Sequence, residues 1–342
     1  MAEIIPIHQD KEDFNDCIKN LSELCKEDLT SINTLILEKL DSSVPLIQEI
    51  GKYLILSGGK RLRPLLTTSC FHILNNESAN KLNHIGLAAA VEFIHAATLL
   101  HDDVVDLSKD RRGNLTANEV WGNKTSVLVG DFLFSRSFQL MTKYGSMKTL
   151  KILSDTSVII SEGEVLEISN DNNLEMNEDT YFQVINGKTA SLFSAACQVG
   201  GLSGGAKENQ HQALKSFGAN FGMAFQLIDD AIDYSSNLKT MGKNIGDDFK
   251  EGKITLPIIL AYGRSNKKEK DFFQQVFKES DGNENNFILV QELLIKYNSI
   301  EDTLTRANHF AEVAIDSLSI FPDNEYKKAL IKLIKTSINR LN

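Results

Sequence analysis

The chain has 342 residues, with 36 Lys and Arg against 46 Asp and Glu, a formal net charge of −10. With 42% hydrophobic and 24% charged residues it can bury a full core, which excludes disordered and fibrous classes. The acidic balance argues against generic nucleic-acid binding and, more weakly, against docking on an anionic membrane.

Only five residues are proline, which predicts long helices joined by short connections. The four cysteines, Cys17, Cys25, Cys70 and Cys197, form no CxxC and no His/Cys cluster, so neither a zinc site nor a disulfide scaffold is expected. The first residues lack the charged and apolar regions of a signal peptide. No apolar run reaches the roughly 18 residues needed to span a bilayer. A reduced, cytoplasmic, helical protein is the expectation.

In chain order, apolar residues at three- and four-residue spacing predict an amphipathic helix from about 11 to 40 and a second over 43–56. A glycine turn at Gly58-Gly59 precedes Lys60-Arg61-Leu62-Arg63-Pro64, whose proline suits the first turn of a helix running to about Leu74. From Asn80 to Asp106 the pattern is apolar all round, as in a buried central helix. Further helical patterns cover 124–143, 147–168, 178–200, 206–235, 254–263, 287–297, 301–318 and 324–341. Without sustained strand alternation, a long linker or a fixed-period repeat, the expected architecture is one all-α domain over 1–342.

Two segments carry the same DDxxD spacing: Asp102-Asp103-Val104-Val105-Asp106 and Asp229-Asp230-Ala231-Ile232-Asp233. On a helix, Asp102 and Asp106 share a face one turn apart, as do Asp229 and Asp233. Acidic pairs also arise by chance on solvated faces. Here both sit in apolar sequence, where clustered carboxylates are costly unless a cation compensates. Oxygen-only clusters suit Mg²⁺ held together with substrate phosphates.

Matching cations come in compact groups. Lys60, Arg61 and Arg63 lie at a predicted helix N-terminus, which itself favours anions. Asp110-Arg111-Arg112-Gly113 follows the first cluster, and arginine forks bind phosphate oxygens in pairs. Gly187-Lys188-Thr189 can offer an ammonium and a hydroxyl. It is not a P-loop, because position 182, where the upstream glycine belongs, is Phe182. Lys243 and Lys253 follow the second cluster, and His95 lies two helical turns before Asp102.

Taken together, Gly58 to Pro64, His101 to Asp106 with Arg111-Arg112-Gly113, Gly130 to Arg136, Gly187 to Thr189, and Gln226 to Tyr234 with Gly242-Lys243 resemble the trans-polyprenyl diphosphate synthase family over nearly the whole chain, most of all its long-chain octaprenyl and decaprenyl type. The resemblance implies an all-α isoprenoid-synthase bundle around a central cavity, usually in a homodimer. It implies that Lys60, Arg63, His95 and Arg112 hold the diphosphate of isopentenyl diphosphate. Asp102, Asp103 and Asp106 bind two Mg²⁺ on the allylic diphosphate, and Asp229, Asp230 and Asp233 serve a third. Arg111, Lys188, Thr189, Gln226, Lys243 and Lys253 grip the allylic diphosphate.

One local departure is Gly163-Glu164-Val165-Leu166-Glu167, where family members often carry Gln at the last position. Chain length is expected to depend on Ile94, Ala97 and Thr98 before Asp102. The small Ala97 and Thr98 predict a product of octaprenyl to decaprenyl length. The resemblance implies that such a product becomes a quinone side chain, and it leaves open a transient membrane contact for product release. Other readings are a shorter-chain synthase, the non-catalytic subunit of a heteromeric synthase, a terpene cyclase, and a Mg²⁺-dependent phosphohydrolase. A cyclase needs no second diphosphate site, so Gly58 to Pro64 and Arg112 count against it, and both intact aspartate clusters count against the subunit.

Overall fold

The computed structural model describes residues 13–111, 113–235, 246–279 and 283–341. Its helices are α1 Phe14–Leu24, α2 Lys26–Lys39, α3 Pro45–Leu56, α4 Leu62–His72, α5 Lys81–Val105, α6 Ala117–Trp121, α7 Asn123–Tyr144, α8 Met147–Ile168, α9 Glu178–Ile185, α10 Ser191–Ser203, α11 Glu208–Asp233, α12 Asp247–Lys250, α13 Leu256–Arg264, α14 Lys267–Glu279, α15 Glu284–Lys296, α16 Ser299–Ser317 and α17 Glu325–Ile338. A π-helical turn, Asn186–Ala190, joins α9 to α10, and a short 3₁₀ turn, Asn339–Leu341, follows α17. The all-α expectation holds.

Two helices organise the rest. Helix α5 lies along α7 and also meets α4, α10 and α2, while α11 lies between α10 and α16. The Asn80 side chain starts α5 by accepting the Leu82 N–H at 3.0 Å, satisfying one of the free donors of the first turn. Helix α5 is long and apolar enough to cross a bilayer by length and composition, with mean hydropathy 1.2 over its best window, yet 72% of that window is buried inside the protein. Its apolar character is therefore used in the core, as its all-round pattern predicts.

The N-terminal segment is two helices, not one. The chain breaks at Cys25 (φ −100°, ψ 15°). Phe14, Cys17, Ile18 and Leu21 of α1 join a core shared with α4, α11 and α17, whereas Ile32, Ile36 and Leu40 join the core around α5 and α7. One straight stripe cannot serve both cores.

The segment expected as a single helix over 178–200 is likewise divided by the π-helical turn. Helix α14 lacks a sequence expectation because its apolar residues stand among lysines, glutamates and glutamines. Phe273, Val276 and Phe277 are nevertheless buried, each contributing about 1.5–3 kcal/mol relative to exposure. The short α6 and α12 and a hairpin pairing Asp110–Arg111 with Asn114–Leu115 were also not foreseen. Such two-residue strands are too short to show alternation.

A polar cluster locks three helices although the sequence shows no such group. The Asp28 carboxylate of α2 receives the His72 ring of α4 at 2.6 Å and lies 3.2 Å from the fully buried His84 of α5. Tyr326 stacks on His72 and Phe71 on His84. Burial works against ionisation of Asp28, but the two histidines outweigh it and hold the carboxyl below the usual carboxylate range.

Candidate active site

Both aspartate clusters fall in the last turn of their helix. Asp102 and Asp103 end α5, with Asp106 as its C-terminal cap, and Asp229, Asp230 and Asp233 end α11. Neither last turn carries a basic residue. A helix C-terminus is the negative end of the macrodipole, so these carboxylates stand where anions are least welcome. Local structure thus creates a demand for cations that neither helix meets.

Neighbouring elements meet part of it. Asp103, 1% exposed, receives Arg111 Nε at 2.8 Å and the terminal nitrogen of the same fork at 2.6 Å. The short hairpin fixes Arg111 for this contact. Lys253 reaches Asp106 at 3.3 Å and Glu251 at 2.7 Å, linking the loop beyond the second cluster to the first cluster. The Asp102 carboxylate has neither a hydrogen bond nor an ion pair among the described residues. Burial above all, then Glu164 and also Asp106, pushes its carboxyl up to about 7 against the opposing pull of Lys188 and Arg111.

The second cluster spreads over three partners instead of converging on one point. Asp229 takes Arg340 at 2.8 Å. Asp230 accepts the Tyr181 hydroxyl and the Gln226 amide, the latter at 2.8 Å. Asp233 accepts the backbone N–H groups of Asp247 and Asp248, both at 3.1 Å, and so caps α12. Burial raises Asp230 to about 7 and Asp233 to about 6 in spite of these donors. Asp248 also lies well above its ordinary value, through burial and then through Asp230 and Asp233.

Lys188 and Thr189 project from the π-helical turn. Thr189 donates to Gln226 at 2.9 Å, and Gln226 continues to Asp230. Lys188 bridges Glu167 and Glu164 of α8. Burial disfavours its charge, but Glu167 and Glu164 prevail and hold it above the ordinary lysine value.

The turn is placed by two glycines in backbone contact. A Cβ on Gly187 would lie 2.7 Å from Gly163 Cα, and one on Gly163 would lie 2.8 Å from Gly187 Cα. Gly187→Ala is therefore expected to push the turn off α8, displace Lys188, and lower kcat/KM about a hundredfold. Steady-state kinetics on a variant with unchanged far-UV circular dichroism checks this.

The first basic group does not act as a unit. Arg61, in the left-handed region at φ +48°, turns inward to Glu92 and to the Ile55 carbonyl. Lys60 lies over Phe14 and Arg63 over Phe193, each 4.6 Å from the ring centroid. Arg63 Nε is buried with no hydrogen-bond partner among the described residues, and burial lowers the side chain to about 10. Arg340 stacks on Phe14 and Phe225. Lys60, Phe14, Arg340 and Asp229 therefore form one run of contacts from the first basic group to the second aspartate cluster.

His95 is half-buried on α5, with its carbonyl accepting the Thr98 hydroxyl at 2.9 Å. Ile94 and Ala97 are buried in the core. Arg112 and Lys243 lie outside the described residues. A cavity of about 120 Å³ beside the second cluster is lined by Glu167, Tyr181, Lys188, Gln226, Asp230 and Lys253 among others.

Sequence reasoning missed Arg340 and Tyr181. Arg340 carries no motif and lies 111 residues from Asp229; Tyr181 looks like any aromatic on an apolar helix face.

An all-α scaffold in which cations from other elements meet carboxylates at two helix ends has the make-up of a site for a phosphorylated substrate. The family model "Polyprenyl synthetase" matches residues 44–293, and the chain belongs to that family as a prenyltransferase. It is 40% identical over 326 residues to octaprenyl diphosphate synthase of Escherichia coli, covering 94% of this chain and 99% of that one. Its structure is similar to a decaprenyl diphosphate synthase from Rhodobacter capsulatus, with TM-score 0.90, 44% identity, and 95% and 99% of the two chains covered. It is also similar to a polyprenyl synthase from Caulobacter crescentus complexed with calcium and isoprenyl diphosphate, with TM-score 0.88, 42% identity, and 95% and 98% covered.

Proposed function

We propose that the chain, acting as a single all-α domain, condenses isopentenyl diphosphate with an allylic diphosphate in a Mg²⁺-dependent reaction that yields all-trans polyprenyl diphosphates of octaprenyl to decaprenyl length. The relatives named octaprenyl and decaprenyl synthases support that length. The observation that carries the reading is the placement of two carboxylate clusters at negative helix ends around Lys188, Gln226 and Lys253.

Asp102, Asp103, Asp106, Asp229, Asp230 and Asp233 fit Mg²⁺ by their oxygen-only donor set and by the strained ionisation of Asp102 and Asp230. When bound, Mg²⁺ neutralises the departing diphosphate. Lys188, Thr189, Gln226, Arg111, Lys243 and Lys253 orient that diphosphate. Lys60, Arg63, His95 and Arg112 hold isopentenyl diphosphate, consistent with an Arg63 Nε that has no hydrogen-bond partner among the described residues.

The allylic C–O bond breaks with its electron pair going to diphosphate. The isopentenyl alkene attacks the resulting cation, and a proton lost to the departed diphosphate restores an allylic product. The reaction requires that the cation be kept from water, which would quench it.

Exposed apolar residues of α7 and α8, Leu128, Phe138, Val158 and Val165, support a homodimer. The protein would work in the cytoplasm and deliver its apolar product by transient membrane contact for quinone assembly.

The test combines purified protein, Mg²⁺, farnesyl diphosphate and labelled isopentenyl diphosphate, with products dephosphorylated and sized. The expected ladder stops between octaprenyl and decaprenyl. A stop at geranylgeranyl length overturns the length, and absence of incorporation overturns the activity.

A further inference from the structure

Lys188 is not poised for a ligand; it is occupied. Glu164 and Glu167 stand three residues apart on one face of α8. Both reach Lys188 Nζ, Glu167 as the nearer contact and Glu164 at 3.4 Å. The Gly163–Gly187 backbone contact presses the π-helical turn against that face, so the lysine cannot leave its two partners by a shift of the backbone. Side-chain exposure of 26% for both Lys188 and Glu167 leaves the pair open to an entering ligand but shielded enough for the attraction to count.

The surrounding charge favours retention. Asp102, Asp106 and Asp171 act on the same pair of glutamates and their neighbours. Lys253 is in turn held by Asp106 and Glu251. A bare diphosphate entering here must draw Lys188 away from two carboxylates while approaching several more. A divalent cation arriving with it changes the balance, because the released carboxylates then face positive charge.

We infer that Glu167 is a counter-charge latch on Lys188, a positioning residue that makes diphosphate binding conditional on a divalent cation. The inference rests on the proposed role of Lys188 as a diphosphate ligand and goes beyond it by assigning Glu167 the control of that ligand's availability. Gln at this position keeps the shape and a hydrogen-bonding amide while removing the charge. The latch would then weaken, and metal-free diphosphate affinity would rise.

Isothermal titration of the full chain with inorganic pyrophosphate, once in EDTA and once with Mg²⁺, tests this. For Glu167→Gln the metal-free Kd is expected to fall about tenfold, equivalent to about 1.4 kcal/mol, and the gain in affinity on adding Mg²⁺ to shrink by a similar factor. Asp171→Asn, which removes a nearby carboxylate with no ion pair to Lys188 among the described residues, is expected to give a clearly smaller gain. Equal gains from the two variants overturn the latch in favour of general charge relief. An unchanged Kd and Mg²⁺ dependence for Glu167→Gln also overturns it, provided Lys188→Met weakens binding. If Lys188→Met has no effect on pyrophosphate, the assignment of Lys188 fails and the latch with it. Thermal unfolding of each variant establishes that folded protein is compared.

Discussion

Asp102→Asn is expected to lower kcat about a thousandfold, in the upper part of the range seen when one electrostatic stabiliser of a developing anion is removed. Asp102 is chosen over its neighbours because its carboxylate is uncommitted among the described residues. Asp103 holds Arg111 and Asp106 holds Lys253, so their replacement also releases a buried or half-buried cation and confuses two effects. The Asn variant keeps the size of the side chain at the end of α5, and a near-wild-type turnover would remove Asp102 from the reaction.

The same residue gives a pH signature in the metal-free protein. Asp102 and Asp230 titrate near 7 and Asp233 near 6, while unfolded aspartates titrate near 3.9. The folded state therefore binds these protons more tightly than the unfolded chain. Their stabilising contribution is fully present below about pH 4 and is lost as the pH rises through 6 and 7. Asp28, shifted the opposite way, contributes stability that is present above the ordinary carboxylate range and is lost only in stronger acid. Metal-free protein should accordingly melt at a higher temperature at pH 6 than at pH 8, and Mg²⁺ should narrow that gap at pH 8. Calorimetric scans in EDTA and in Mg²⁺ measure it. A melting temperature that rises from pH 6 to pH 8 without metal contradicts the proposed ionisation of the cluster.

The aspartate clusters are legible in the sequence because one helix carries all the geometry: residues four apart on an α-helix share a face whatever surrounds them. What surrounds them is not legible. The sequence places Asp229 and Asp233 on one face, but their carboxylates are claimed by Arg340 from the C-terminal turn and by the backbone of α12. The three positive charges of Lys60, Arg61 and Arg63 look equivalent in the sequence. The left-handed conformation of Arg61, which turns it to Glu92, follows from how α3 and α4 join.

The fold shows the same division. The long apolar pattern of α5 and the helical patterns over 124–143 and 147–168 are local properties and agree with the structure. The break at Cys25 and the π-helical turn at Asn186 depend on which core each stripe meets and on one glycine contact. The charged segment of α14 hides Phe273 and Phe277 because so few of its residues need to be apolar. The Lys188–Glu167 pair joins two elements whose contact no periodicity encodes.

Thr98→Phe is expected to shorten the product more than any other single change. On α5 the side chains before Asp102 run back along the helix at about 1.5 Å per residue. Thr98 stands one turn before Asp102 and is half-buried, so a phenyl ring there can project into the space beside the diphosphate site without entering the packed interior. Ala97 is 1% exposed and Ile94 fully buried. Ala97→Phe therefore carries an overpacking cost of about 1–3 kcal/mol and is the second choice, read only on protein shown to be folded.

In the proposed site, a growing polyprenyl tail with its diphosphate at Asp102 and its chain directed back along α5 would pass Thr98 before extending further. A ring at that level stops elongation early while leaving the first condensation intact. The expected result is a ladder ending at geranylgeranyl length, with incorporation of the first isopentenyl unit close to wild type. A tail that follows α5 must also displace side chains near Ala97 and Ile94. Ile94→Ala should then lengthen the distribution, because it opens space where Thr98→Phe closes it. Product sizing of the two variants with the same farnesyl starter distinguishes a floor on α5 from a floor elsewhere. Opposite shifts place the limit along this helix, and unchanged ladders from both variants place it on another element.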